Sequence, residues 1–272
     1  MAEAGPDPLQ AEPGDAADRS FVTALARGLD VLRCFRAGEP SLSNNDIARR
    51  TSLPKPTVTR LTHTLCRLGY LVHSDETGFY RLGAGVLELG YGVLAGIDIA
   101  DRAAETLRIV QTEGPNPNVS VAMGERHGFK MVYVAVQRSR ESVSLSMSVG
   151  ARLPLFHSAM GRAALCAMEG GQREALLVAA AREGREDMAA VRRNLDAAMR
   201  EYRDEGFCSS MGQWRPEISG VAVPVRSLSG DRLYAINAGA PSFLVTPEEL
   251  RAEYGPRLVA AARGLSDVPA RG

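Results

Sequence analysis

The chain has 272 residues, a length that predicts two domains or one large one, with 45% hydrophobic and 24% charged residues as in soluble globular proteins. Thirty-two basic residues balance 32 acidic ones, so a wholesale polyanion binder is excluded while a small basic module on a neutral body is not. No apolar run is long enough for a membrane span and the N-terminus has no apolar core for a secretory signal, so a cytoplasmic chain is expected.

Residues 1–20, rich in Ala, Pro, Gly, Asp and Glu, lack a core-forming pattern and are expected to be a disordered tail. Residues 22–82 carry nine arginines and lysines against five acids, which makes this segment basic. From Val22 to Phe35, the positions Leu25, Leu29, Leu32 and Phe35 follow helical spacing, and Ala37 to Pro40 breaks the helix. Ser43 and Asp46 form an S-x-x-D capping box, with Leu42 and Ile47 as its hydrophobic staple, opening a short helix that stops in Ser52-Leu53-Pro54. Pro56 suits the first position of the next helix and places Lys55 outside it. Val58, Leu61, Leu65 and Leu68 form that helix's apolar stripe, Thr59, Arg60, His63 and Arg67 point the opposite way, and Gly69 ends it. Tyr70–His73 and Phe79–Leu82 read as two strands joined by the turn-rich Ser74–Gly78.

The pattern is helical again from Ala84 to about Gln111, with a break at Ile97-Asp98. After the turn at Gly114–Asn118, strands are predicted at Val119–Met123, Met131–Val136, Val143–Met147, Val221–Val225 and Leu233–Asn237. Helices are predicted at Ser158–Met168, Arg173–Ala181, Asp187–Glu205 and from the N-cap Thr246 towards Ala262. Without regular βαβ alternation, this half reads as α+β.

Two helices around a three-residue turn, followed by a β-hairpin, form the plan of a winged helix-turn-helix. Its second helix has the dimensions of the DNA major groove, with Thr57, Thr59, Arg60 and His63 set to meet base edges or flanking phosphates. Arg49, Arg50 and Lys55 near the helix ends are expected on phosphates, and Arg81 lies in the wing. Enzyme signatures are missing: there is no G-x-S-x-G, Walker loop or G-x-G-x-x-G between a strand and a helix. The four histidines are isolated from metal-ligand spacing, and His157 beside Ser158 has no evident orienting acid. No catalytic residue, metal or cofactor is therefore expected. The four scattered cysteines read as small buried residues.

Residues 22–82 resemble the DNA-binding domain of IclR-type bacterial transcriptional regulators. The resemblance rests on Ala26–Leu32, Ile47–Thr51, Leu53–Leu61, Leu68-Gly69-Tyr70 and Tyr80–Gly83. It continues in Val149–Leu155, Ser158–Ala163, Gly206-Phe207 and Gly220–Val225, and so covers about residues 22–262. The resemblance implies a winged helix-turn-helix at 21–83, a linker helix at 84–97, a GAF-like effector-binding domain at 98–264 and a tail at 265–272. It also implies a homodimer or dimer of dimers on a double-stranded, pseudo-palindromic operator, responding to a small organic acid. A carboxylate is expected at the opening of the helix near Ser158 and Gly161, with Met147, Phe156 and Trp214 as apolar walls and His157, Ser210 and Gly220 beside them. The chain departs from the family in having Pro56 where a serine is frequent and Phe156 where a histidine is usual. Ser210 and Gly220 lie where an acid and a cysteine are common, and these losses imply a less polar pocket.

Overall fold

The computed structural model describes residues 20–36, 38–97, 99–141, 145, 147–184 and 186–266. The expected tail at 1–20, apart from Ser20, and the end of the chain beyond Ser266 lie outside the described residues. The chain divides into two compact units between Gly96 and Ile97.

The first unit holds α1 (Thr23–Arg33), β1 (Ser41–Ser43), α2 (Asn44–Thr51), α3 (Lys55–Arg67), β2 (Leu71–His73), β3 (Phe79–Leu82) and α4 (Ala84–Ala95). The capping box at the start of α2 is fully formed. The Ser43 hydroxyl accepts the Asp46 N–H at 3.2 Å, and the Asp46 carboxylate accepts the Ser43 N–H at 3.1 Å. α2 ends on Ser52, a non-glycine residue in the left-handed region at φ 56°, and the chain turns through Leu53 and Pro54 into α3. Val31, Phe35, Leu42, Ile47, Val58, Leu65 and Leu71 close into one core. The strands form an antiparallel sheet in the order β1-β3-β2, with Ser41 opposite Arg81 and Val72 opposite Arg81 on the other side. The unit is a winged helix-turn-helix.

Four expectations for this unit are corrected. Leu25 and Leu29 of α1 are exposed; the helix is buried at Val31, and Phe35 is buried as its spacing predicts, just beyond the helix end beside Cys34. Lys55 is the first residue of α3 and Pro54 its cap, so Pro56 stands second, where its missing N–H is still harmless. Thr62, not Leu68, completes the buried stripe of α3, because its hydroxyl donates to the Val58 carbonyl at 3.0 Å and so enters the core satisfied. β1 is an additional three-residue strand.

The second unit runs α5 (Ala100–Thr112), β4 (Ser120–His127), β5 (Lys130–Gln137), β6 (Arg152–Pro154), α6 (Ala159–Ala167), α7 (Gly170–Glu183), α8 (Met188–Glu205), β7 (Cys208–Met211), β8 (Ile218–Arg226) and β9 (Leu233–Pro241). It closes with a short helix, α9 (Pro247–Glu249), a π-type turn at Leu250–Tyr254 and α10 (Gly255–Ser266). All pairings in the six-stranded sheet, ordered β6-β5-β4-β9-β8-β7, are antiparallel. Helices pack on it, with α5 and α10 in contact with each other and α6 against β8 and β9. This is the α+β, GAF-like arrangement. Register places Val121, Met123, Ile236 and Ala238 on one face and Ala122, Gly124, Ala235, Asn237 and Ala222 on the other. The second face is made of small residues, which lets α6 lie close to the sheet: a Cβ on Gly124 would stand 2.6 Å from the Met160 sulfur.

Three strand expectations differ here. Leu145 and Met147 are not in a strand, and Val143, where that strand was to begin, lies outside the described residues. β6 and β7 are additional edge strands of three and four residues. The closing helix is interrupted by the π-type turn, beside which the buried Tyr254 hydroxyl donates to the Asn116 carbonyl and accepts its N–H, both at 2.9 Å.

Candidate functional site

Two places in the chain have the makings of a site, one in each unit. In the first, α3 presents Lys55, Thr59, Arg60, His63, Thr64 and Arg67 to solvent while Val58, Thr62 and Leu65 face the core. Thr57 is half-buried. The Thr59 hydroxyl donates to the Lys55 carbonyl and accepts from the Asn44 amide, both at 3.0 Å, so a residue at the start of α2 helps fix the exposed face of α3. Asn44 has no signal of its own in the sequence beyond its place beside the N-cap. Arg60 lies exposed on the same face.

The remaining basic residues differ in freedom. Arg49 is exposed and held at 2.7 Å by Asp46. Arg50 is tied inward, donating to the Cys34 carbonyl at 2.9 Å and to Glu39 at 2.6 Å, so it joins the end of α1 to α2. Arg81 is exposed on the central strand of the sheet, between β1 and β2. The wing tip is acidic, with Asp75 fully exposed and Glu76 beside it. A phosphate would be repelled at the tip, where Asp75 lies 3.0 Å from the His73 ring, and attracted by Arg81 at the base of the wing.

In the second unit a cavity of about 160 Å³ opens between the α6 start, the central strands and the 212–218 loop. Met147, Ser158, Ser210, Trp214 and Gly220 line it, five of the eight residues expected around an effector. Phe156, His157 and Gly161 do not. Phe156 is buried against Phe129, ring centroids 5.9 Å apart. The His157 ring is 2.7 Å from Glu186, while its carbonyl accepts a 2.7 Å hydrogen bond from Ser210. Gly161 gives its N–H to the Ser158 hydroxyl at 3.1 Å. A Cβ there would fall 2.0 Å from the Leu155 carbonyl oxygen, so this glycine serves close backbone packing, not access for a carboxylate.

The cavity also gathers residues that sequence reasoning did not place there, among them Tyr133, Leu145, Arg152, Arg215, Ser219 and Asn237. Tyr133, Arg152, Ser219 and Asn237 come from four different strands and meet through the sheet, while Leu145 and Arg215 reach the cavity from loops. Arg215 is exposed and lies over the Trp214 ring at 4.9 Å, and Arg152 is exposed on the edge strand β6. Burial pushes the Tyr133 phenol well above its ordinary range, with a hydrogen bond from Asn237 opposing it in part, so Tyr133 is a neutral donor at any physiological pH. Among the described residues no group of three or more His, Cys, Asp or Glu could hold a metal ion.

Residues 24–75 match the model of the IclR helix-turn-helix domain, and residues 91–267 that of the bacterial transcriptional regulator IclR C-terminal domain. The Pca regulon regulatory protein of Pseudomonas putida is 31% identical over 265 residues, covering 94% of this chain and 86% of that protein. The crystal structure of an IclR family transcriptional regulator from Brucella abortus is 38% identical, with a TM-score of 0.78 over 94% of this chain and 96% of that one. An IclR homolog from Microbacterium hydrocarbonoxydans, complexed with 4-hydroxybenzoate, shares the fold at 23% identity, with a TM-score of 0.66 over 90% of this chain and 98% of its own. The relatives are regulators and not enzymes. The chain belongs to the IclR family of bacterial transcriptional regulators.

Proposed function

We propose that this regulator binds a pseudo-palindromic DNA operator through α3 and changes its affinity when a small organic acid enters the cavity of the second unit. Residues 21–83 act as the DNA-binding domain, 84–97 as the linker helix and 98–264 as the effector domain, working in the cytoplasm. The observation that carries the DNA reading is the exposed polar face of α3 in a basic unit. Arg60 reads a base edge, by preference guanine, with Thr57, Thr59 and His63 beside it. Lys55, Arg49 and Arg81 take phosphates, and Arg50 adds its charge while its hydrogen bonds hold α2 in place.

The acid reading is supported by the mixture in the cavity wall: apolar Leu145, Met147 and Trp214, with the exposed guanidiniums of Arg152 and Arg215 among the lining residues. A carboxylate placed by the arginines leaves its apolar body among the former. The relative that binds 4-hydroxybenzoate supports the same ligand class. Self-association into a dimer or dimer of dimers is supported by apolar surface that the unit leaves uncovered: Val22, Leu25 and Leu29 on and before α1, and Leu87, Leu89, Tyr91 and Val93 on α4.

The test couples the two sites. The full chain is screened by thermal shift against small organic acids, and operator affinity is then measured by fluorescence anisotropy with and without each acid that raises Tm. An acid that binds is expected to change operator affinity, about 5- to 150-fold for ordinary coupling. Binding that leaves operator affinity unchanged would overturn the effector reading.

A further inference from the structure

Cys166 and Cys208 are 42 residues apart in the chain, and no motif spacing couples them. The fold brings them together. Cys166 stands near the end of α6 and Cys208 opens β7, and their sulfurs lie 3.6 Å apart, at van der Waals contact. An S–S bond is about 2.05 Å long, so the two side chains need approach by only about 1.5 Å to close one.

The two sulfurs differ in setting. Cys208 is fully buried, whereas Cys166 is partly open to solvent. The Cys208 S–H donates towards the Cys166 sulfur, and the Ala198 carbonyl is its other acceptor, at 3.8 Å. Two guanidiniums flank the pair. Arg173 donates to the carbonyls of Leu165 and Met168, at 3.2 and 2.9 Å, on either side of Cys166. Arg162 is buried and donates at 2.8 Å to the carbonyl of Ser209, the residue after Cys208. Glu201 opposes them, but its carboxylate is engaged by the Ser209 N–H and by Arg251. The hydrogen bond from Cys208, with Arg173 and Arg162 assisting, holds the Cys166 thiol below its ordinary value against the effect of burial. The same contact and burial push Cys208 up, so it keeps its proton. Partial exposure, cationic neighbours and an adjacent second thiol are the setting of a cysteine that reacts with peroxide and is then resolved. Cys34 is buried and burial pushes the Cys66 thiol up, which slows both towards an oxidant.

We propose that Cys166 and Cys208 form a peroxide-reactive dithiol that closes reversibly into a disulfide within the second unit. The Cys166 thiolate attacks one peroxide oxygen, the O–O bond breaks, and the departing hydroxide takes a proton from solvent and leaves as water. Cys166 is then a sulfenic acid. The Cys208 sulfur attacks the Cys166 sulfur, the S–O bond breaks, and the hydroxyl leaves with the Cys208 proton as a second water. Two thiols are oxidised to one disulfide, and one peroxide is reduced to two waters. The new bond ties α6 to β7, the elements that carry Ser158 at the N-cap and Ser210 to the cavity wall, so the link couples the pair to that wall.

The full chain, reduced and freed of reductant, is treated with hydrogen peroxide, alkylated under denaturing conditions and analysed by mass spectrometry before and after dithiothreitol. The expected product loses two hydrogens and two alkylatable thiols within a single chain and yields a peptide pair joined through Cys166 and Cys208. Dithiothreitol is expected to restore all four thiols. Cys208→Ala is expected to stop at a Cys166 sulfenic acid that dimedone captures, and Cys166→Ala to leave Cys208 unreacted. The wild-type peptide map decides the matter by itself if either variant fails to fold. Three results would overturn the proposal: thiols unchanged at a peroxide concentration that oxidises free cysteine, Cys166 driven to sulfinic acid with Cys208 still a thiol, or links through any other pair, links between chains included.

Discussion

Single residues set the orientation of the reading head. Ser43 and Asp46 satisfy one another's backbone N–H groups at the start of α2, and Asn44 beside them braces Thr59 on α3. The hydrogen bonds from the Ser43 hydroxyl and backbone, in that order, with Arg49 assisting, hold the Asp46 carboxyl below its ordinary value. A carboxyl depressed in the folded state contributes stability above its unfolded pKa and loses it as pH falls through the folded one. The contribution is therefore complete above about pH 4 and disappears below it. Ser43→Ala is expected to cost the DNA-binding unit about 1 kcal/mol at neutral pH, the ordinary worth of an N-cap. The variant should also lose stability less steeply than wild type on acidification from pH 5, as followed by urea unfolding in the full chain. An unchanged acid limb would mean that the capping box does not act on folding.

At the scale of elements, the legible parts were those with a local signal. The capping box, the Pro-bounded start of α3, the hairpin and the long α8 all announce themselves within a few residues. Asp187 caps α8 by accepting the Ala189 and Ala190 N–H groups, and Gly206 ends it at φ 81°. What escaped is decided at a distance. β1, β6 and β7 are three or four residues long and exist because a neighbouring strand supplies their hydrogen bonds, so no periodicity marks them. The α1 stripe misled because Leu25 and Leu29 have helical spacing yet belong to a face that the unit does not cover. In the cavity, Ser158 was legible from its motif and Trp214 as a large apolar side chain, whereas Tyr133 and Asn237 reach it through strand register. Gly161 was read as a gap for ligand, but the space is filled by the Leu155 backbone. The division of labour on α3 is open to test. Arg60→Ala is expected to cost roughly 1–3 kcal/mol on the operator and to relax preference at one base pair, and Lys55→Ala to weaken all sequences alike and lower the salt slope by about 1 per protomer. Uniform loss from both variants across a randomised operator library would make Arg60 a phosphate contact.

The whole molecule combines a basic helix-turn-helix unit with a neutral body that carries a cavity of about 160 Å³, and its net charge of zero conceals that asymmetry. On the reading proposed above, such a chain binds DNA through a few phosphates per protomer and takes its specificity from a short list of side chains, so that two copies specify a site together. The apolar faces of α1 and α4 supply a reason for two copies to associate. Helix-turn-helix dimers place their recognition helices about one helical turn of DNA apart, or a multiple of it. The most direct measurement is selection of genomic DNA fragments by the purified full chain at about 0.15 M salt, followed by sequencing, with Arg60→Ala run in parallel. Enrichment of a small set of fragments sharing an inverted repeat, its half-sites spaced by whole turns, and loss of that enrichment in Arg60→Ala, is the predicted result. Recovery of fragments in proportion to their abundance, by wild type and variant alike, would contradict the account.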